Sequence, residues 1–170
     1  TVEADKGVDA ARFGRGGLLP MAVFLPQNSP GLRTSPVKRG YWVVRRSLGE
    51  QIPPPPATVP ELPQDEAKLG DLTLREVLAR HREDKNCAGC HARFDGFGLV
   101  FEGYGPVGER RDCDLGGRPV ERHANLPGGV DADGVGGLQG YLRAHRQEGF
   151  LDRGLARDIL VEREAAARGY

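Results

Sequence analysis

The sequence predicts a mainly α-helical protein, in which an N-terminal segment and a proline-rich arm wrap a small domain and much of the chain is irregular. Apolar residues recur at helical spacing in several segments. Glycine (25 residues) and proline (13) are abundant, and hydrophobic residues make up only 38% of the 170 residues. A chain of this composition has a thin core, so a bound group that supplies apolar bulk would help it to fold.

Charge and hydropathy point to neither a membrane-spanning nor a nucleic-acid-binding protein. Lys+Arg and Asp+Glu balance at 24 each, so net charge favours no such partner. No apolar run is long enough to span a membrane, and no signal peptide is visible. Because the chain begins at Thr1, we expect a processed chain or a piece of a larger protein. Its three cysteines do not form a disulfide framework.

We expect two parts, residues 1–63 and residues 64–170. In the first part a helix should begin at Ser35, because serine is a good N-cap and Pro36 suits the first helical position. Gly49 is a natural stop for this helix. Its apolar face should be formed by Val37, Tyr41, Val44 and Leu48, widened by Trp42 and Val43.

The stretch "IPPPPATVPELP" ends the first part, with six prolines in the eleven residues from Pro53 to Pro63. This density excludes a helix or a central strand and predicts an extended, polyproline-like segment. Two interpretations stay open. The segment is either a stiff linker or an arm packed against a partner surface.

The second part should open with a helix after Thr73. Thr73 and Glu76 have the spacing of a capping box, and the helical spacing places His81 on the apolar face. From Asp95 to Pro127 the many glycines predict turns and short extended pieces.

Two further helices are predicted near the C-terminus. Asp133 is a candidate cap for a helix over about 135–147, and a last helix should cover about 152–168. The stretch "GGVDADGVGG" precedes them, and its spacing does not fit a calcium-binding EF-hand loop. We interpret it as a turn that leads into a helix.

The motif that carries chemistry is Cys87-Ala88-Gly89-Cys90-His91, the attachment pattern of c-type haem. Two thiols three residues apart can reach the two vinyl groups on one edge of a porphyrin, and the following histidine is then carried beneath the iron. A structural zinc site is an alternative, but it needs four ligands, and only Cys113 and His123 offer extra ones at irregular spacing. A thioredoxin-like redox pair would require a βαβ context, which is absent.

A haem iron bound by His91 has a second axial position, and the sequence offers four protein ligands for it. Met21 is the sole thioether, and it lies in an apolar segment that could cover a haem face. We therefore predict Met21 as the sixth ligand. His81, His123 and His145 remain alternatives, as does an open position that would permit ligand binding.

Two stretches carry a resemblance to a known family. The first is "RTSPVKRG", continued by Trp42-Val43 and the proline run, and the second is "LREVLARHREDKNCAGCHARFDGFGLVFEGYGPVGERR". They resemble the C-terminal pair of domains, of unknown function, in large planctomycete-type cytochrome c proteins. The resemblance covers roughly residues 12–160. It implies a haem-bearing protein that is periplasmic or otherwise exported, in which Cys87, Cys90 and His91 carry the haem motif.

Arginines in the family-like segments are candidates to bind the haem propionates. Bidentate pairing suits carboxylates, so Arg33 and Arg39 should either contact the propionates or bridge the two parts of the chain. Arg110 and Arg111 are more typical of surface residues. The family often has Met-Asp-Pro where this chain has Phe94-Asp95-Gly96, a difference that we expect to change packing more than chemistry.

We therefore expect a small cytochrome c-like haem domain that transfers electrons through a single covalently bound haem c and its iron. It should act as a subunit or fragment of a larger redox assembly, and exchange electrons with a redox partner protein or a larger electron-transport complex. Two other functions stay open: a peroxidase-like haem enzyme with an open sixth position, and a structural haem subunit.

Overall fold

A computed structural model describes residues 12, 15, 17–53, 59 and 62–145. None of the helices in these ranges is long and apolar enough to cross a membrane. The helix predicted over 152–168 lies outside the described residues. In chain order the elements are α1 (Phe24–Gln27), α2 (Pro36–Trp42), α3 (Leu74–His81), α4 (Lys85–Leu99), β1 (His123–Leu126), β2 (Val130–Asp133) and α5 (Gly134–Ala144).

The helix predicted after Ser35 is confirmed, with one change in its geometry. The Ser35 side chain accepts a hydrogen bond from the Lys38 backbone N–H, and Pro36 occupies the first turn. After α2 the chain widens into a single π-helical turn over Val43–Ser47. Such turns insert an extra residue and are common at functional sites. Gly49, at φ +73°, ends the helical run.

The capping box of α3 is also confirmed, because Thr73 and Glu76 exchange side-chain and backbone hydrogen bonds. Helix α4 extends to Leu99, so the prediction of turns from Asp95 onward is wrong for its first five residues. Gly96 and Gly98 are poor helix formers, but here they allow close contacts. A Cβ on Gly96 would lie 2.9 Å from the Asn125 carbonyl oxygen, so packing overrides propensity.

A short β-hairpin precedes α5. Strands β1 and β2 are antiparallel, with His123 paired to Asp133 and Leu126 to Val130. The interpretation of this stretch as a turn alone is therefore incomplete. Strand β1 alternates exposed and buried residues, with Ala124 and Leu126 buried, whereas β2 buries only Ala132. Helix α5 confirms the helix predicted here, and it buries Leu138 and Tyr141. Asp133 occupies the N-cap position, as predicted, but its side chain makes no cap hydrogen bond.

The core is built around the C-terminal end of α4 and the two residues that follow it. Phe97, Val100 and Phe101 are almost fully buried. The ring of Phe24 packs against Phe101 at a centroid distance of 5.3 Å and against Trp42 at 4.8 Å. Aromatic contacts of this kind contribute about 0.5–1.5 kcal/mol each beyond the area that they bury.

A buried ionic network joins the N-terminal segment to the chain after α4. Arg111 contacts Glu66 at 2.6 Å and Glu102 at 3.1 Å, and the Thr34 hydroxyl donates to Glu102 at 2.8 Å. Burial raises the pKa of Glu102, and Arg39 and Arg111 oppose this shift. The network fixes residues 33–39 against residues 101–111. The expectation that Arg111 is a surface residue is therefore wrong, because its side chain is only 7% exposed.

Helices α2 and α4 meet at two glycines. A Cβ on Gly98 would overlap the carbonyl oxygen of Pro36, and a Cβ on Gly40 would overlap the carbonyl oxygen of Phe94. Both neighbours are backbone atoms, which cannot rotate away. The two helices can cross at this distance only while both positions lack a side chain.

We expect Gly98→Ala to lower the free energy of unfolding by about 3 kcal/mol, because the added methyl group must push α2 and α4 apart. Chemical denaturation followed by circular dichroism measures this change. The matched control is Gly140→Ala in α5, where nothing lies within 4 Å of the new Cβ, and a gain of about 0.5–1 kcal/mol is expected. A Gly98→Ala protein as stable as the wild type would contradict the tight crossing.

Candidate functional site

A cavity of about 800 Å³ lies between α2 with its π-turn, α3 and the first half of α4. This volume falls in the range of about 300–1,000 Å³ typical of ligand and cofactor sites. Its walls combine aromatic, aliphatic, basic and metal-ligating side chains. The lining residues are Asn28, Val37, Lys38, Tyr41, Trp42, Arg45, Arg46, Ile52, Pro53, Val59, His81, Cys87, Cys90, His91 and Phe94.

All three residues of the C-x-x-C-H motif line this cavity. Cys87 and Cys90 lie one turn apart on α4, so their side chains share a face of the helix. Both are free thiols and are partly exposed. His91 follows directly, and its side chain is 12% exposed. The helix therefore presents two reactive sulfurs and one imidazole to the same space.

The ring of His91 is held in place by its neighbours. Its Nδ1 lies 3.0 Å from Oδ1 of Asp95, one turn further along α4. The ring of His81, from α3, meets it edge to face at a centroid distance of 4.8 Å, and the ring of Phe94 lies at 5.0 Å. His91 is thus fixed in position before any ligand is bound.

Three basic side chains border the cavity, and sequence reasoning missed them. Lys38, Arg45 and Arg46 are exposed and line its α2 side. The guanidinium of Arg45 lies over the ring of Tyr41, 5.8 Å from its centroid. Their spacing along the helical run, at i, i+7 and i+8, was a usable signal, because it places them near one face.

Three described residues in or next to the proline-rich segment line the same cavity. Ile52 is buried, and Pro53 and Val59 are among the lining residues. The surface that these residues contact belongs to the same chain, so the stiff linker and the arm packed against a partner both stay predictions.

Arg33 and Arg39 do not line the cavity. Arg39 is fully buried and donates to the carbonyl oxygens of Tyr104 and Gly105, both at 2.8 Å. Burial lowers the pKa of Arg39 to about 10. Arg33 donates to the carbonyl oxygen of Pro63 at 2.7 Å. The Arg39 contacts join residues of the two predicted parts, whereas the Arg33 hydrogen bonds, to Thr34 and Pro63, stay within the first part. Neither guanidinium lines the cavity.

Four other predicted candidates also lie away from the cavity lining. Met21 is 45% exposed in the turn before α1. His123 pairs with Asp131 on the hairpin, and His145 stacks on Tyr141 at the end of α5. Cys113 is exposed. Within the described ranges no group of three or more His, Cys, Asp or Glu side chains could hold a metal ion, so the structure does not assemble the four-ligand zinc alternative.

The cavity fits a covalently attached haem. It has two free thiols at the required spacing, an imidazole fixed beside them, an aromatic wall and a basic rim. The fold and the site together define a small, mainly helical domain whose C-x-x-C-H motif lines a cofactor-sized cavity.

The chain belongs to the PSCyt3 family, described as a protein of unknown function (DUF1588), whose model matches residues 15–114. The family name points to cytochrome c-type domains. The match runs across the boundary predicted at 63/64, and the division into two parts stays a prediction. No curated protein and no solved structure matches the chain.

Proposed function

We propose that this chain carries one haem c, attached through Cys87 and Cys90 with His91 as an iron ligand, and that it transfers single electrons to or from a protein partner. The observation that carries the proposal is the shared cavity, because all three motif residues line one space of cofactor size. Membership of a cytochrome-type family supports it. When bound, the haem would supply a one-electron couple of its iron.

Each residue of the motif would have a separate task. The thiols of Cys87 and Cys90 would each add across a vinyl group of the porphyrin to form a thioether, which keeps the haem from dissociating. The imidazole of His91 would bind the iron through the nitrogen that does not face Asp95. The chain has few aromatic residues, so apolar contacts with the haem would be limited. Covalent attachment would compensate for this weak binding.

The rest of the lining would orient the haem and limit its contact with water. Tyr41, Trp42 and Phe94 supply the apolar surface. Lys38, Arg45 and Arg46 would pair with the two propionates, since ammonium and guanidinium groups bind carboxylates through charge-assisted hydrogen bonds. This assignment moves the propionate role from Arg33 and Arg39 to residues that line the cavity.

The identity of a second iron ligand is a separate part of the proposal. The sequence has one methionine and four histidines, and apart from His91 only His81 among them lines the cavity. His81 touches the edge of His91, with ring centroids 4.8 Å apart, so the two imidazoles would have to separate before both could hold the haem. Met21 as sixth ligand stays a prediction that the cavity lining does not support. An open position would favour the alternative of a ligand-binding or peroxidase-like haem protein.

Haem attachment is tested with protein matured in a strain that expresses a c-type haem assembly system. We expect the wild type to give the pyridine haemochrome spectrum of haem c at about one haem per chain. The double variant Cys87→Ser/Cys90→Ser should lose covalent haem, whereas Cys113→Ser, at an exposed thiol outside the cavity, should keep it. Wild-type protein without haem would refute the proposal.

The sixth position is tested by carbon monoxide binding to the reduced protein. Because Met21 lies outside the cavity lining, we expect Met21→Ala to leave the visible spectrum unchanged. Ready binding of carbon monoxide by the reduced wild type would favour the alternative function with an open sixth position. If Met21 is the ligand, the wild type should resist carbon monoxide. Met21→Ala should then lose the weak long-wavelength band of thioether-ligated ferric haem, as the sequence prediction requires.

A further inference from the structure

Asp95 is a buried carboxylate beside the candidate iron ligand, and the haem attachment described above does not use it. Its side chain is 1% exposed, and its Oδ1 lies 3.0 Å from Nδ1 of His91. Its Oδ2 has no hydrogen-bond partner among the described residues, although Nε of Arg82 lies 3.7 Å away. With Oδ2 unpartnered in this way, Asp95 makes its side-chain hydrogen bond to His91 through Oδ1.

The contact favours one tautomer of His91. A carboxylate oxygen of Asp95 offers Nδ1 an acceptor 3.0 Å away, so the tautomer with its proton on Nδ1 can donate this hydrogen bond. The nitrogen left without a proton is then Nε2, which is the form that binds a metal. Helical geometry holds the pair together, because residues four apart on α4 are neighbours on one face.

We propose that Asp95 is a positioning residue that sets the reduction potential of the haem through His91. The carboxylate presents Nε2 of His91 to the iron and makes the imidazole a stronger electron donor, which favours the oxidised iron and lowers the potential. This inference rests on the proposed haem attachment and goes beyond it, since the C-x-x-C-H motif would bind haem with any acceptor at Nδ1.

His81, the last residue of α3, and Arg82, which follows it, complete this arrangement. The edge contact of His81 restricts rotation of the His91 ring. The positive charge of Arg82, whose Nε lies 3.7 Å from Oδ2 of Asp95, partly offsets the effect of the carboxylate on His91. Asp95 and Arg82 should therefore shift the potential in opposite directions when each is neutralised.

The test is a spectroelectrochemical titration of the matured, haem-loaded protein. Asp95→Asn keeps the side-chain shape and an acceptor oxygen but removes the charge. We expect it to raise the equilibrium constant for reduction about tenfold, which is about 59 mV for a one-electron couple. The iron–histidine stretching frequency of the reduced protein, measured by resonance Raman, should fall. Asp95→Glu should restore both values in part.

The control is Asp131→Asn, which removes the same charge from an exposed carboxylate on the hairpin and should leave both values unchanged. A potential and a stretching frequency in Asp95→Asn equal to those of the control would overturn the inference while the haem attachment stands. A wild-type protein that takes up no haem would instead remove the proposed function itself.

Arg82→Gln gives a second test if Asp95→Asn does not fold, because the Arg82 side chain is 35% exposed and more tolerant of change. We expect its potential to fall below that of the wild type and its iron–histidine frequency to rise. An unchanged or raised potential in Arg82→Gln would contradict the role of Asp95.

Discussion

The contact of α2 with α4 through Gly40 and Gly98 is the constraint on which the rest of the structure depends. Backbone atoms of one helix occupy the space that a side chain of the other would fill. This close crossing sets the distance between the helix that carries the C-x-x-C-H motif and the helix that carries the aromatic and basic wall. A wider crossing would change the width of the cavity between them.

Helix α4 serves two purposes along its length. Its first half presents Cys87, Cys90 and His91 to the cavity, and its second half supplies Phe97 to the core. The site is therefore built on a helix that also enters the core, rather than on a loop. A rigid support would suit the proposed electron transfer. When the ligand and the side chains that hold it are fixed, less structural rearrangement accompanies the gain or loss of each electron.

Local sequence signals predicted much of the helical frame. Helix caps and the cysteine motif depend on residues no more than four positions apart. Short-range spacing therefore suffices to find Ser35, Thr73 and the motif cysteines. The continuation of α4 past Asp95 could not be predicted in this way, because Gly96 and Gly98 disfavour a helix locally and are explained only by what packs on them. The sequence predicted turns from Asp95 onward, so it did not predict the contact of His91 with Asp95, which requires the helix to continue through both residues.

Charged residues show the same limit. Arg33 and Arg39 stand out in the sequence, but their roles depend on carbonyl groups of residues 63, 104 and 105, far along the chain. The basic rim of Lys38, Arg45 and Arg46 becomes recognisable only when the cavity beside it is known. The described residues do not test an exported location, a larger redox assembly or a protein partner, and these remain proposals for this chain.

The central claim is that this cavity holds a covalently attached haem. Intact-mass spectrometry of the matured chain, followed by peptide mapping, tests it most directly. The account predicts a mass increase of one haem per chain, located on the peptide that contains Cys87 and Cys90. A chain of unmodified mass, with both thiols open to alkylation, would contradict it.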